Sequence, residues 1–209
     1  MKTVIFTQRV DIIEAYNERR DCADQRITEL IRSCGYLPAP VPNKLNREAI
    51  EEFTRVINPS GIILTGGNSL AKYGGNAPER DFTEKILLDI AINKNIPVYA
   101  LCRGMQFILD YFAQDLVNVT GHVRTRHELI SDEKIFSGRE VNSYHNQACI
   151  NLIPGELETL AKAPDGIIEA VRHKTRPILA TMWHPERESV FVSEDIDMIK
   201  NLFAEGEMN

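Results

Sequence analysis

Cys102 lies in the run PVYALCRGMQ, where a short apolar stretch opened by Pro97 gives way to a glycine-containing, helix-competent one. A strand that turns sharply into a helix holds a nucleophile exposed at the turn and aims the next residue's backbone amide at an oxyanion. That geometry suits acyl transfer. Ala100 and Gly104, two residues to either side, are small enough to let strand and helix approach closely. The plainer alternative is a cysteine that packs a core strand, a common fate of free thiols. A cysteine nucleophile needs a base to hold it as thiolate and to return a proton to the leaving group. The segment TMWHPERE offers His184, with Glu186 two residues on. In extended chain that spacing puts both side chains on one side, so one segment presents an imidazole and the carboxylate that orients it. A rival base, His145 in SYHNQ, has no acid at a comparable spacing.

Elements that alternate between short β-rich runs and helical patterns must position these groups, which is the signature of a parallel α/β sheet. Thr3 to Thr7 reads as the first strand, and Asp21 to Cys34 as a helix with Ala23, Ile27, Leu30, Ile31 and Cys34 on one face, stopped by Gly35. Pro38, Pro40 and Pro42 keep the next segment extended, and Asn46 to Ile57 carries the apolar stripe Ile50, Phe53, Ile57. Gly61 to Leu64 is the next strand, and TGGNSLAKYGGNAPERD after it is a loop of the kind that binds ligands at the carboxyl end of a central strand. Asp81 and Glu84 form a capping-box pattern for a helix running to about Asn93, directly before the cysteine's strand. Further strands are expected near Leu116 to Val119, Arg139 to Val141, Cys149 to Leu152, Ile167 to Val171 and Ile178 to Trp183, and a closing helix over Glu194 to Phe203. Strands in series predict an antiparallel extension of the sheet that carries the His/Glu segment. The expected architecture is a single α/β domain over 1–209: a central, mostly parallel sheet flanked by helices, flavodoxin-like in kind.

With 24 Lys and Arg against 30 Asp and Glu, the chain has a formal net charge of −6, which argues against general nucleic-acid binding or a polybasic membrane anchor. The four cysteines, Cys22, Cys34, Cys102 and Cys149, show no CxxC pair and no Cys/His metal spacing, so reduced thiols in a cytoplasmic protein are expected. The apolar stretch in MKTVIFTQR is too short for a signal-peptide core, and no segment approaches a membrane span. His122 and His127 in GHVRTRH are five residues apart, which fits neither a helical nor a strand ligand pair. They read as a surface or substrate-side loop, and no metal is expected.

The motifs TGGNSL, ALCRGMQ, VNSYHNQ and WHPER, in that order, resemble those of the class I glutamine amidotransferase superfamily, and within it the γ-glutamyl hydrolase branch. Their spacing covers most of the chain. The resemblance implies a Cys102, His184, Glu186 triad that cleaves a γ-glutamyl amide through a glutamyl thioester, without a cofactor. It implies that Gly67 and Arg103 supply the oxyanion-hole amides, and that Gly66, Asn68, Gln106, Ser143, Tyr144 and His145 line the glutamyl subsite. Ala100 departs from the family pattern, which has glycine there and so leaves the tilt of the turn open. Two catalytic roles fit: a stand-alone hydrolase, or a glutaminase that hands ammonia to a synthetase partner. A catalytically inactive binding member is a third, weakened because each triad position is chemically intact. Ligands in such folds lie beyond the carboxyl ends of strands, so Arg9, Tyr16, Arg19 and Arg20, just after the first strand, could face the leaving group. This segment is similar, less specifically, to γ-glutamyl hydrolases of bacterial capsule biosynthesis, whose substrate carries a pyrophosphate that arginines suit. The expected partner is a small γ-glutamyl substrate, and oligomeric state is open.

Overall fold

A computed structural model describes residues 1–205. The chain opens with Thr3–Phe6 (β1), followed by Arg9–Ile13 (β2) and Glu18–Cys22 (β3), an antiparallel hairpin in a segment to which the sequence reading assigns no strand. The helix expected from Asp21 therefore begins later, as Gln25–Ser33 (α1), with Asp24 accepting from Arg26 N at 3.0 Å as its N-cap. Leu37–Pro40 (β4) is an edge strand, where its prolines cost no ladder bond. Arg47–Ile57 (α2), capped by Asn46, and Gly61–Leu64 (β5) follow as expected.

Pro78–Lys94 (α3) starts with proline at its first turn, three residues before the expected capping box. Asp81 and Glu84 thus do not cap it. Asp81 instead accepts from Ala71 N at 2.8 Å, and Glu84 is fully buried. Val98–Leu101 (β6) leads into Arg103–Tyr111 (α4). Beyond it lie Val117–Asn118 (β7), Val123–Glu128 (β8), Glu140–Tyr144 (β9), Gln147–Ala148 (β10), Leu157–Lys162 (β11), Ile168–His173 (β12), Ile178–Thr181 (β13) and Ser193–Glu205 (α5). The strand expected at Cys149 to Leu152 is irregular chain, and strands β8 and β11 carry no sequence pattern that announces them.

The main sheet has seven strands in the order β11-β12-β13-β6-β5-β1-β4. The five from β13 to β4 are parallel, and β12 and β11 add antiparallel to the β13 edge. The antiparallel extension exists, but the strand leading to His184 is a parallel neighbour of the strand leading to Cys102, with Ala180 opposite Ala100. This places both strand ends on the same carboxyl edge of the sheet. The central strands are buried on both faces, as parallel strands with helices on both sides must be. Val4, Phe6, Ile63, Tyr99 and Leu101 join one apolar layer with α1 and α5. Ile5, Ile62, Leu64, Val98 and Ala100 join the other, with α2, α3 and α4. No described helix is long and apolar enough to cross a membrane.

Candidate active site

Cys102 sits between β6 and α4 with φ 50° and ψ −107°, a conformation that L-residues rarely adopt and that costs roughly 1–3 kcal/mol. Its surroundings hold it there. Its N–H donates to Thr181 O at 2.8 Å, and its carbonyl accepts the first helical bond from Gln106 N at 3.0 Å. Gly104 lies so close beneath β5 that a methyl in place of its hydrogen would collide with the carbonyl oxygen of Leu64. Ala100 is fully buried, in register between Leu64 and Ala180.

His184 and Glu186 meet by a different route from the one their spacing suggests. The extended chain ends at Thr181, and Pro185–Arg187 is a 3₁₀ turn that brings Glu186 Oε1 to 2.6 Å from His184 Nδ1, both residues nearly inaccessible to solvent. Burial alone would lower the His184 pKa, but Cys102 and then Glu186 raise it, to about 10. The Nε2 of His184 has no aligned hydrogen-bond partner. Cys102 is still the first of the groups that raise the imidazole's pKa, so the two sites act on each other although no aligned bond joins them, a looseness typical of such sites before substrate tightens them.

Two residues with no sequence signal hold this turn. Asn142 on β9 accepts from His184 N at 2.9 Å and donates to His184 O and Glu188 Oε1, each at 2.8 Å. Arg26 on α1 donates to Glu186 O at 3.2 Å and Glu188 O at 2.6 Å. Both positions depend on strands and helices distant in sequence, so no local pattern could reveal them.

The loop after β5 is fixed in the same manner. Arg80, fully buried, donates to three successive carbonyls, Thr65 O at 2.5 Å, Gly66 O at 3.0 Å and Gly67 O at 2.5 Å. Carbonyls held toward Arg80 fix the peptide planes of the loop. Glu84 anchors the guanidinium at 2.9 Å and accepts from Thr7 Oγ1 at 2.8 Å. The Arg103 side chain pairs with Asp81 and Glu84 in this buried network, so only its backbone faces the cysteine's turn. Gly66 lies against the imidazole, where a methyl group would be 2.8 Å from His184 Cε1, and Gly67 has φ 84°.

A small cavity of about 40 Å³ is bordered by Gly66, Gly67, His184, Glu186, Arg9 and Arg187, among others. Three larger surface crevices, of about 560, 610 and 600 Å³, contain none of these residues. Of the three N-terminal arginines, Arg9 alone borders the cavity. Arg19 is bound to Glu79 at 2.7 Å and Asn76 O at 2.8 Å, and Arg20 pairs with Glu18 on the exposed hairpin. Arg187, the last residue of the WHPER motif and given no role by the sequence reading, stands over the Tyr144 ring at 4.4 Å, and the same ring meets His184 edge-on at 5.7 Å. Asn68 is committed elsewhere: both ends of its amide bond the backbone of Val10 and fasten the β2–β3 hairpin to the loop. Gln106 is buried and donates to Gln147 O at 2.9 Å.

Ser143 and His145 belong to a second cluster. Ser143 donates to His122 O at 2.9 Å, and His145 Nε2 is 3.3 Å from Glu169, the acid it lacks in sequence. His122 is buried and His127 lies on β8, so neither sits on a surface loop. The five-residue spacing misleads because β8 carries a bulge between Val123 and Thr125, with Arg124 at φ 56°. One extra residue reverses the alternation and brings both imidazoles to one side.

Residues 19–205 match the family Glutamine amidotransferase class-I. The chain belongs to that family. Among curated relatives, this class I amidotransferase chain is 30% identical to the "Gamma-glutamyl-CDP-amidate hydrolase" of Campylobacter jejuni, over 95% of this chain and 96% of that one. It is 26% identical to the "Gamma-glutamyl-gamma-aminobutyrate hydrolase" of Escherichia coli O157:H7, over 90% and 89%. It is 27% identical to a glutamine-hydrolyzing GMP synthase subunit of Methanosphaera stadtmanae, over 78% and 82%. In fold, this amidotransferase superposes with a TM-score of 0.70 on the crystal structure of a protein assigned as a GMP synthase subunit from Thermoplasma acidophilum, at 23% identity, covering 100% of this chain and 96% of that one.

Proposed function

We propose that this chain is a cysteine-dependent hydrolase of γ-glutamyl amides, acting as one amidotransferase-like unit over residues 1–209. The observation that carries the reading is the strained turn at Cys102 beside a buried His184 bonded to Glu186 at 2.6 Å. In the proposed mechanism the Cys102 thiolate attacks the γ-carbonyl, and the backbone amides of Gly67 and Arg103 take the oxyanion. His184 then gives its proton to the leaving nitrogen as the C–N bond breaks, leaving a glutamyl thioester. Water, losing its proton to His184, attacks the thioester and releases L-glutamate. Glu186 stabilises the imidazolium throughout. Tyr144 and Gln106 border the region where the glutamyl group would lie.

The substrate we favour is γ-glutamyl-CDP-amidate, with Arg9 and Arg187 toward its phosphates. The support is the full-length relative of that name and two arginines at the cavity in a chain of net charge −6. A glutaminase that supplies a synthetase is the second reading, favoured by the GMP synthase subunit relatives. Side-by-side kinetics on γ-glutamyl-CDP-amidate, L-glutamine and γ-glutamyl-γ-aminobutyrate decide among them. We expect kcat/KM to be highest for the CDP-amidate, and to fall about tenfold or more in Arg187→Ala through KM, because a charge-assisted contact is worth roughly 1.5–3 kcal/mol. Preference for L-glutamine, rising sharply with a synthetase, would give the ammonia-donor reading. Preference for the γ-aminobutyrate compound would retain the hydrolase and remove the nucleotide. Inactivity on all three would make the chain a binding member of its family.

A further inference from the structure

The cluster behind the candidate site has a geometry that hydrogen bonding among its members does not explain. Glu169, with no solvent exposure, points one oxygen, Oε1, at three imidazole nitrogens: His122 Nδ1 at 3.6 Å, His127 Nε2 at 3.4 Å and His145 Nε2 at 3.3 Å. None of these contacts is aligned as a hydrogen bond, and both Glu169 oxygens and His127 Nε2 are buried without a hydrogen-bond partner. Leaving a buried carboxylate in that condition is expensive.

The tautomer of His122 sharpens the point. Its Nε2 is 2.8 Å from Asp165 Oδ2, an acceptor only, so Nε2 carries a proton and donates it. The Ser143 hydroxyl, 3.4 Å from Nδ1, donates to His122 O instead. A neutral His122 then aims the lone pair of Nδ1 at a carboxylate oxygen. Lone pairs facing one another in a buried space call for a cation between them.

We propose that His122 Nδ1, His127 Nε2 and Glu169 form a binding site for a first-row divalent cation of the zinc class. One ligand atom from each of these residues can be chosen so that all lie within 4.8 Å of one another. A tetrahedron with ligands at roughly 2.0–2.1 Å has edges of about 3.3–3.4 Å, close to the separations from Glu169 Oε1. The imidazole and carboxylate donor set suits zinc and its neighbours better than calcium or magnesium. Asp165 on the far nitrogen of His122 is the outer carboxylate that metal-bound histidines commonly have, and its charge with that of Glu169 balances a dication. The bulge in β8 creates the site by reversing the alternation between His122 and His127. The ion ties the β8–β9 hairpin to β12, at a residue whose carbonyl accepts from Met182 N, two residues before His184. This inference is independent of the substrate and of catalysis.

The test uses the full chain in a Cys102→Ser background, which removes, as a competing metal ligand, the cysteine that acts on His184, stripped with chelator and titrated with Co²⁺ and then Zn²⁺. We expect one Co²⁺ per chain with the intense visible d–d absorption of a low-coordinate site, displaced by Zn²⁺. His127→Ala and Glu169→Gln should abolish the band, and Asp165→Asn should weaken binding by about 10- to 100-fold. Near-UV circular dichroism of each variant in chelator checks that it folds, and Glu169→Gln, close to isosteric, serves if His127→Ala does not. Absence of the band together with no Zn²⁺-dependent rise in Tm at millimolar metal would overturn the proposal and leave a protonated histidine–glutamate relay. A band that persists in both ligand variants would overturn it equally, since the ion would then lie elsewhere.

Discussion

At the scale of single residues, the protonation of His184 is the property most open to direct measurement. Its imidazole is held as a cation to about pH 10, against a usual value near 6.5, with Cys102 the largest of the groups that raise it and burial opposing them. In ¹³C-histidine spectra the His184 resonance of the native chain should therefore stay at its imidazolium position from pH 6 to 8 and move near 10. In Cys102→Ser, which removes that largest influence, the midpoint should fall toward the ordinary range. A native midpoint near 6.5 would mean that thiol and imidazole do not interact. The candidate triad is legible in sequence because a cysteine, a histidine and a glutamate in these settings are chemically distinctive types. Their supports are not. Asn142, Arg26 and Arg80 are ordinary polar residues until the fold brings them to His184, Glu186 and Gly66.

Among the elements, the junction of β6 and α4 is the most constrained. In an exposed helix, replacing glycine with alanine stabilises by up to about 1 kcal/mol. At Gly104 the sign should reverse, because the added methyl would meet the backbone of Leu64 and no rotamer can relieve it. We expect Gly104→Ala to lower stability by roughly 1–3 kcal/mol in urea unfolding, with turnover lost as Cys102 shifts. Unchanged stability would show that β5 can retreat. Elements that are apolar on both faces are readable to the residue, as Gly61–Leu64 is, since burial on both sides leaves no competing pattern. Elements paired outside the main sheet are not. The segment Val123–Glu128 reads VRTRHE, mostly exposed, and becomes a strand because Glu140–Tyr144 pairs with it. The hairpin Arg9–Cys22 hides behind charged residues for the same reason, its register set by a partner strand and by Asn68.

For the whole molecule, two of the buried groups with raised pKa values, His184 and Cys34, make stability fall on the alkaline side. His184 rises from 6.5 to about 10, so its contribution is complete below pH 6.5 and is lost as pH climbs through 10, an effect on the order of a few kcal/mol. Burial pushes the Cys34 thiol from 9.0 up to about 12, so the same sign applies from pH 9 upward. Urea midpoints should decline from pH 6.5 to 9 in the native chain and much less in His184→Asn. Cys34→Ala should flatten the curve only above pH 9. A native curve that is level to pH 9 would contradict the first assignment. The antiparallel pair β11 and β12 also bears on the whole: the sequence announces β12, but neither its partner β11 nor its distance from the parallel set can be read from spacing. The positive φ of Cys102 has a further consequence, for how such a protein would change over generations. Glycine would occupy that position without strain, so, on the role proposed for Cys102, the first step away from chemistry is one that relieves about 1 kcal/mol or more of backbone strain. Selection for turnover must keep acting against that gradient, and a copy of this gene released from it would drift most readily toward a well-folded, silent protein.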